Sequence, residues 1–214
     1  MEKLRTLQSL KSQSYKNFNI LIINDGSTDP VTLKILRNIS EVNIKILNQK
    51  NKGLAKTRNV GILNCKTEFI LPLDSDDWLA SNALKEFRDF LKKNNHYSYV
   101  YSNIINQNLS TGVLKKNYNF FEQLFSNQIP YCFLIRRQIL KKIGMYDSKM
   151  KYGFEDWELN IRLGKNNFFG HCLNKGLFYY NVSHDGMLKS ISTKKFGTIY
   201  KYIRDKHSEL YSSI

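Results

Sequence analysis

FNILIINDGSTDP, residues 18–30, combines the two signals on which the predicted fold depends. Its Ile-rich first half is typical of a strand that is buried on both faces of a parallel sheet. Asp29 and Pro30 then favour the N-cap and the first turn of a helix. A buried strand that passes through a short turn into a helix is the basic unit of an α/β sheet.

The same alternation continues on either side of this unit. We expect a helix at about residues 4–13 before it. After it come predicted strands at 43–47, 68–74 and 97–103 and predicted helices at 54–64 and 81–93. Alternation at this spacing requires right-handed crossovers and predicts a doubly wound, mostly parallel α/β sheet.

The alternation breaks beyond residue 103, and residues 104–117 are polar and irregular in pattern. The remaining predicted elements are helices at 120–125, before Gly144, at 155–163 and at about 194–207, and strands at 131–135, 168–173 and 176–182. Because the sequence contains no linker or repeat, we interpret residues 1–214 as a single domain. It comprises a nucleotide-binding half (about 1–103), an acceptor-binding and catalytic half (about 104–192) and a basic C-terminal helix (193–214).

Composition restricts the class of protein. The 214 residues are 42% hydrophobic and include only 3 Pro, which excludes a disordered, collagen-like or coiled-coil chain. Cys65, Cys132 and Cys172 are far apart, which argues against a disulfide framework or structural zinc and favours a reducing compartment. No window has the character of a signal peptide or the length of a membrane span. The sequence thus predicts a soluble, cytoplasmic protein.

Positive charge is the outlying property: 33 Lys and Arg against 18 Asp and Glu give a net charge of +15. Such an excess attracts nucleic acid, anionic lipid or a phosphorylated substrate. Because the lysines are spread along the chain, a solvated basic surface without a specific partner explains the charge equally well.

Three carboxylates lie within four residues, Asp74 to Asp77, after the predicted strand at 68–74. Ligands of open α/β sheets bind outside the carboxyl ends of the strands. Asp74 and Asp76 share one side of an extended chain, and a hard divalent cation would relieve the repulsion between them. The alternative is an acidic turn that caps the next helix.

Two glycine-containing turns provide further candidates. Asp25 ends the first strand, where a carboxylate can accept hydrogen bonds from a base or a ribose, or can complete an ordinary strand-to-helix turn. Gly53 precedes the helix that carries Arg58. This arrangement can place cations near a phosphate or donors near a base.

The second half contains an acid pair and a histidine. Glu155 and Asp156 open a predicted helix, where the helix dipole favours acids. Beside aromatic neighbours, one of them could instead be a general base with a raised pKa. His184 follows a predicted strand, where a lone histidine is more often structural than a ligand.

Four segments, in this order, resemble a bacterial family 2 glycosyltransferase of the GT-A fold. They are QSYKNFNILIINDGSTD (13–29), NKGLAKTRNVGI (51–62), LDSDDW (73–78) and GFEDWELNIRL (153–163). The resemblance extends to about Ser192. It implies an inverting enzyme that transfers a sugar from a nucleotide-sugar, usually a UDP-sugar, to a hydroxyl by direct displacement.

The resemblance assigns five donor-binding residues: Asp25, Gly53, Arg58, Asp74 and Ser75. Asp25 would meet the nucleobase with Arg58 nearby. Asp74 would bind the ribose or the metal-held diphosphate.

The resemblance also implies a divalent cation, Mn2+ or Mg2+. Asp76 would be its main protein ligand, and His184 matches a histidine that joins the metal or the diphosphate in some relatives. Asp156 would be the base that deprotonates the acceptor hydroxyl, with Glu155 as the second candidate.

The chain departs from the family pattern at its start. Members of the family normally begin with an apolar strand that ends in a Pro-Thr-Tyr-Asn-like turn and forms one wall of the nucleobase pocket. This sequence begins at the helix that follows such a strand. The missing strand would lie between the strands at 18–25 and 68–73 and would leave two unpaired strand edges. We therefore expect a GT-A fold that is incomplete at its N-terminus.

The sequence leads to one main hypothesis and two alternatives. The main hypothesis is metal-assisted sugar transfer to a glycan or lipid-linked acceptor in cell-surface polysaccharide synthesis, with peripheral association at the inner membrane face as an option. The alternatives are a truncated, inactive relative and a basic nucleic-acid-binding module. No nucleic acid partner is expected, because the best-placed polar residues are acidic and would repel phosphate without a cation.

Overall fold

The computed structural model describes residues 2–106, 113–114, 118–181 and 191–212. Its helices are α1 (Glu2–Lys11), α2 (Pro30–Arg37), α3 (Leu54–Asn64), α4 (Ala83–Lys93), α5 (Phe120–Gln123), α6 (Arg137–Lys142), α7 (Glu155–Lys165), α8 (Phe196–Lys206) and α9 (Ser208–Tyr211). Its strands are β1 (Ile20–Asp25), β2 (Ile44–Gln49), β3 (Phe69–Ile70), β4 (Trp78–Leu79), β5 (Tyr99–Asn106), β6 (Val113–Leu114), β7 (Leu134–Arg136) and β8 (Gly170–Tyr180). The predicted α/β class is confirmed.

The strands form two separate sheets in the described ranges. β1 and β2 are a parallel pair. The other strands form a second sheet in the order β3-β7-β5-β8-β4, with β6 paired to β5. In this sheet β5 and β8 are parallel, and the remaining pairs are antiparallel. The sheets are thus mixed: the two long pairs, β1–β2 and β5–β8, are parallel as expected, whereas the short strands β3, β4, β6 and β7 make antiparallel pairs.

An open cleft separates the two sheets. Among the described residues, β1 pairs with β2 alone and β3 with β7 alone. Partly buried apolar side chains line the facing edges, including Ile23 on one side and Ile70 and Leu73 on the other. The cleft has a volume of about 1200 Å³. The expectation of two unpaired strand edges at this place is confirmed.

The open edges explain two differences from the predicted strands. Every residue of β1 is only partly buried, although its sequence is that of a strand buried on both faces. The predicted strand at 68–74 is reduced to Phe69–Ile70, because its neighbour β7 is only three residues long and its other edge is unpaired.

Long-range pairing produces the differences in the second half. The predicted strand at 97–103 continues to Asn106 and pairs with β6, so residues 104–117 are not irregular throughout. The predicted strands at 168–173 and 176–182 are one strand, β8, which keeps its pairing through register shifts. The predicted C-terminal helix is divided at His207 into α8 and α9.

Apolar clusters cover both faces of the large sheet. Tyr99 and Tyr101 of β5 pack on one face with residues of α3, α6 and α7. Val100, between them, packs on the other face with Phe87 and Leu91 of α4. This alternation follows from the two-residue period of a strand. As a result, the N-terminus of α7 is held beside the turn between β3 and β4.

Candidate active site

The acidic turn at residues 74–77 is anchored by its last residue. Asp77 is 1% exposed. Its Oδ1 accepts a hydrogen bond from the N–H of Asn181 at 2.7 Å, and its Oδ2 accepts one from the hydroxyl of Tyr131. Burial raises the pKa of Asp77 to about 7 despite these hydrogen bonds. Asp77 therefore ties the turn to β8 and to the segment before β7.

Arg58 of α3 lies between two acids. Its Nη2 donates to Oδ1 and Oδ2 of Asp74 at 2.9 and 3.1 Å, and its Nη1 donates to Oε1 of Glu155. The guanidinium also lies over the rings of Tyr131 and Tyr146. Burial alone would lower the pKa of Arg58, but the charges of Asp74 and Glu155 outweigh burial and raise that pKa. Arg58 thus connects the acidic turn to the first residue of α7.

A sharp turn directs the acid pair of α7 into the cleft. Gly153 has a φ of 95° and Phe154 a φ of 58°, so the chain reverses directly before the helix. Glu155 and Asp156 follow in the first helical turn, where the helix dipole stabilises negative charge.

The two acids of this pair differ in accessibility. Glu155 is 3% exposed, and within the described part of the chain its Oε2 has no hydrogen-bond partner. Burial raises its pKa to about 7 against the opposing effect of Arg58. Asp156 is partly buried, and Nδ2 of Asn127 donates to its Oδ2 at 2.8 Å. Burial also raises the pKa of Asp156, again opposed by Arg58. Asp156 is the more accessible acid.

Asp25 organises the loop that leads into α3. Its Oδ1 accepts hydrogen bonds from Nε2 of Gln49 at 2.7 Å and from the N–H of Lys52 at 2.8 Å, and its Oδ2 accepts one from the N–H of Gly53 at 3.0 Å. Burial raises the pKa of Asp25, but these hydrogen bonds outweigh it and lower the pKa overall. Gly53 has a φ of 84°, and apart from its chain neighbours no atom of the described residues lies within 4 Å of the place where a Cβ would be. The loop therefore leaves open space above its backbone.

The structure brings most of the candidate residues together. One cleft is lined by Arg58, Asp74, Asp76, Glu155 and Asp156. Ser75 also borders this cleft and is exposed. Asp25 is the last residue of β1 in the small sheet, and Gly53, directly before α3, donates its N–H to the Asp25 carboxylate. His184 falls outside the described residues.

The acidic turn supplies carboxylate oxygens, the type of ligand that hard divalent cations take. Among the described residues, no group of three or more His, Cys, Asp or Glu side chains could hold a metal ion. Asp74 bonds Arg58, Asp77 bonds Tyr131 and Asn181, and Asp76 lines the cleft. Mg2+ commonly binds one or two carboxylates and takes its other ligands from substrate phosphates and water. The donor set is consistent with that mode.

Sequence reasoning missed three residues that hold the acids in place. Tyr131 contacts Asp77 across 54 positions, Asn181 contacts it across 104, and Asn127 contacts Asp156 across 29. No local pattern marks any of the three, because each acts through a contact between distant segments.

The sequence profile of glycosyl transferase family 2 matches residues 4–158, which is most of the chain. The chain belongs to glycosyl transferase family 2. Its candidate residues from Asp25 to Asp156 all fall within the matched range. In the described ranges, no helix has both the length and the apolar character needed to cross a membrane.

Curated relatives of this family member are glycosyltransferases of bacteria. The chain is 28% identical to the glycosyltransferase GlyA of Streptococcus pneumoniae, over 90% of this chain and 30% of GlyA. It is 29% identical to the chondroitin synthase of Escherichia coli, over 84% of this chain and 28% of that protein. The chain thus spans about a third or less of the length of either relative.

Solved structures of TarS from S. aureus share the fold. The complex of TarS 1–349 with UDP-GlcNAc has a TM-score of 0.74 at 20% identity, covering 88% of this chain and 57% of that chain. The complex with UDP has a TM-score of 0.68 at 22% identity, covering 85% and 57%. This similarity confirms the predicted GT-A fold.

Proposed function

We propose that this family 2 glycosyltransferase transfers a sugar from a UDP-sugar to a hydroxyl of a glycan or lipid-linked acceptor in cell-surface polysaccharide synthesis. One observation carries the proposal. In a single cleft, Arg58 bonds both Asp74 of the acidic turn and Glu155 of the acid pair. Arg58 would thereby hold a proposed donor-side residue and a proposed acceptor-side residue together, as transfer between two substrates requires.

The choice of donor is supported by the relatives. The E. coli protein WfgD, 35% identical over 50% of this chain and 43% of its own length, is named as a glucosyltransferase that uses UDP-Glc. The TarS structures contain UDP or UDP-GlcNAc. The positive charge of this chain, +15, also favours an anionic donor.

Five residues form the proposed donor site. Asp25 and Gly53 would border the nucleobase, because the loop between them and α3 leaves open space. Asp74 and Ser75 would contact the ribose or the diphosphate. Arg58 would act on the donor through Asp74, since its guanidinium is engaged with Asp74 and Glu155.

Asp76 is the proposed ligand of Mn2+ or Mg2+, joined by His184. When bound, the cation would stabilise the negative charge of the leaving diphosphate. Asp74 could join the cation through lone pairs that do not accept hydrogen bonds from Arg58.

Asp156 is the proposed base for the acceptor hydroxyl. It is the more accessible acid, and a pKa raised towards the working pH suits a general base. Glu155 is the second candidate, because it is buried against Arg58. Attack by the deprotonated hydroxyl from the face opposite the diphosphate would invert the anomeric carbon.

The proposal places the reaction in the cytoplasm. Lipid-linked acceptors would be reached at the inner membrane face, to which the basic chain would be attracted by anionic lipid.

UDP release from a panel of UDP-sugars, with Mn2+ and candidate glycan acceptors, tests the function. Release by the wild-type chain well above that of Asp156→Asn supports transfer. Metal-dependent UDP binding without release from any donor would identify an inactive relative. RNA or DNA binding that weakens steeply with salt, without UDP binding, would identify a nucleic-acid-binding module.

A further inference from the structure

Asn127, in the segment after α5, makes a direct contact with the acid pair. Its Nδ2 donates to Oδ2 of Asp156 at 2.8 Å. Asn127 also lines the cleft. An amide therefore lies against the carboxylate that is proposed above as the base.

The orientation of the Asn127 amide is determined by two neighbours. Its Oδ1 accepts hydrogen bonds from Nε2 of Gln123 and from Nδ2 of Asn160, both at 3.1 Å. An amide oxygen that receives two donors leaves the NH2 group on the opposite side. In Asn127 that side faces Asp156.

Backbone groups determine the orientation of both neighbours. The N–H of Gln128 donates to Oε1 of Gln123 at 2.8 Å, and the carbonyl oxygen of Ile129 accepts from Nδ2 of Asn160 at 3.3 Å. A backbone N–H can only donate and a carbonyl can only accept. Gln123 and Asn160 are also fully buried, at 0% exposure. The direction of the whole hydrogen-bond chain is therefore determined, and it ends on Asp156.

We propose that Asn127 is a positioning residue that holds Oδ2 of Asp156, so that Oδ1 is presented to the acceptor hydroxyl. The inference rests on the proposed function, because it takes Asp156 as the base. It assigns a role to a residue that lies outside the acidic turn and outside α7.

The contact has a measurable electrostatic consequence. A hydrogen bond from an amide stabilises the ionised carboxylate and so opposes the rise in the pKa of Asp156 that burial causes. Among the described residues, the other titratable groups that act on or face Asp156 are Arg58 of α3, Glu155 of α7, Tyr146 before α7 and Tyr180 of β8. Because a substitution at Asn127 leaves all of them in place, it should raise the pKa of Asp156.

Carboxyl ¹³C NMR titration of the full chain labelled at aspartate tests this role. The signal of Asp156 is assigned by its loss in Asp156→Asn. Asn127→Ala should raise the pKa of Asp156 by about 1–2 units, the size expected for one hydrogen bond to a charged group. Asn64→Ala is the matched control, because its amide bonds the carbonyl of Val60 on the exposed side of α3. An unchanged pKa in folded Asn127→Ala would overturn the role.

A second measurement needs no substitution at Asn127. In the wild-type chain, the side-chain NH2 signals of Asn127 should shift with the same midpoint as the Asp156 carboxyl. Signals that do not respond to pH would overturn the contact even if Asn127→Ala fails to fold.

Kinetics separates this proposal from the proposed function. In Asn127→Ala, the acidic limb of the pH profile of kcat for UDP release should move to higher pH, and the affinity for UDP should be unchanged. Full activity of Asp156→Asn would contradict Asp156 as the base, and would do so whatever the titrations show about Asn127.

Discussion

Nη2 of Arg58 lies 2.9 and 3.1 Å from the two carboxylate oxygens of Asp74. The second guanidinium nitrogen, Nη1, binds Glu155, and the side chain of Arg58 is only 9% exposed. One buried cation therefore neutralises an acid of the turn and an acid of α7 at the same time. The spacing between the acidic turn and the N-terminus of α7 depends on this cation.

Arg58→Met should destabilise the protein, because it leaves Asp74 and Glu155 without their shared cation. Breaking a buried pair costs about 3–5 kcal/mol, and we expect the lower end because Asp74 is 33% exposed. Urea unfolding measures the loss. Lys201→Met is the control, since its pair with Asp205 is exposed and should contribute less than about 1 kcal/mol. Equal stability of the two variants would mean that the Arg58 contacts are not formed in solution.

Low pH should destabilise the fold partly through protonation of Glu158 in α7. Glu158 is fully buried, and its carboxylate contacts Arg162, Lys206 and His207. Burial alone would raise its pKa, but hydrogen bonds from His207 and Arg162 outweigh burial and lower the pKa to about 2 from an ordinary value of 4.5. A carboxyl group whose pKa is lower in the folded state than in the unfolded state stabilises the fold above pH 4.5. This stabilisation is lost as the pH falls towards 2.

The measurement is urea unfolding between pH 7 and pH 3. Wild type should lose about 2–3 kcal/mol more than Glu158→Gln over this range, because the variant has no carboxyl to protonate. Glu122→Gln, exposed on α5, should follow wild type. The same pH dependence in wild type and Glu158→Gln would disprove the linkage.

Asp156→Asn should lower turnover by about 10²–10⁴-fold, the usual contribution of a general base. Donor affinity should barely change, since the proposed role of Asp156 is towards the acceptor. Glu155→Gln is the comparison, and we expect a smaller loss because Glu155 is buried against Arg58. If Asp156→Asn instead loses UDP affinity and keeps its rate, Asp156 belongs to the donor site and Glu155 is the better candidate.

Hydrogen exchange should reveal the open edge of β1. The N–H of Ile20 donates to the carbonyl of Asn43, and successive residues of a strand direct their N–H groups to opposite edges. The amides of Leu21 and Ile23 should therefore face the cleft and exchange far faster than that of Tyr99, which lies between β7 and β8. Equal protection would mean that another polypeptide segment covers this edge in solution.

Local sequence signals were sufficient to predict much of the fold. Asp29 caps α2 through the N–H of Thr32, and Pro30 begins that helix, as the sequence predicts. The acidic turn and the acid pair of α7 also lie where the sequence places them, beside one cleft. Caps, apolar periods and strand-end carboxylates depend on neighbours in sequence, so they can be recognised without a structure.

Long-range contacts could not be predicted in the same way. The direction of β7 beside β3 and β5 depends on which strands it meets, and its sequence carries no sign of that choice. The same holds for the partners of the acids, because Asn127 and Tyr131 resemble any other polar residues of a loop. The pairing of Arg58 with Asp74 and Glu155 likewise joins three segments that are far apart in the chain.

Calorimetric titration with UDP, in Mn2+ and in EDTA, tests most directly whether the acidic turn binds a metal-held nucleotide. Wild type should bind UDP more tightly with Mn2+, and Asp76→Asn should lose this gain while staying folded, because asparagine keeps the shape of the side chain and removes only its charge. Asp205→Asn, exposed on α8 and remote in sequence from the turn, should behave as wild type. An unchanged effect of Mn2+ in Asp76→Asn, or no UDP binding by wild type under either condition, would contradict the account.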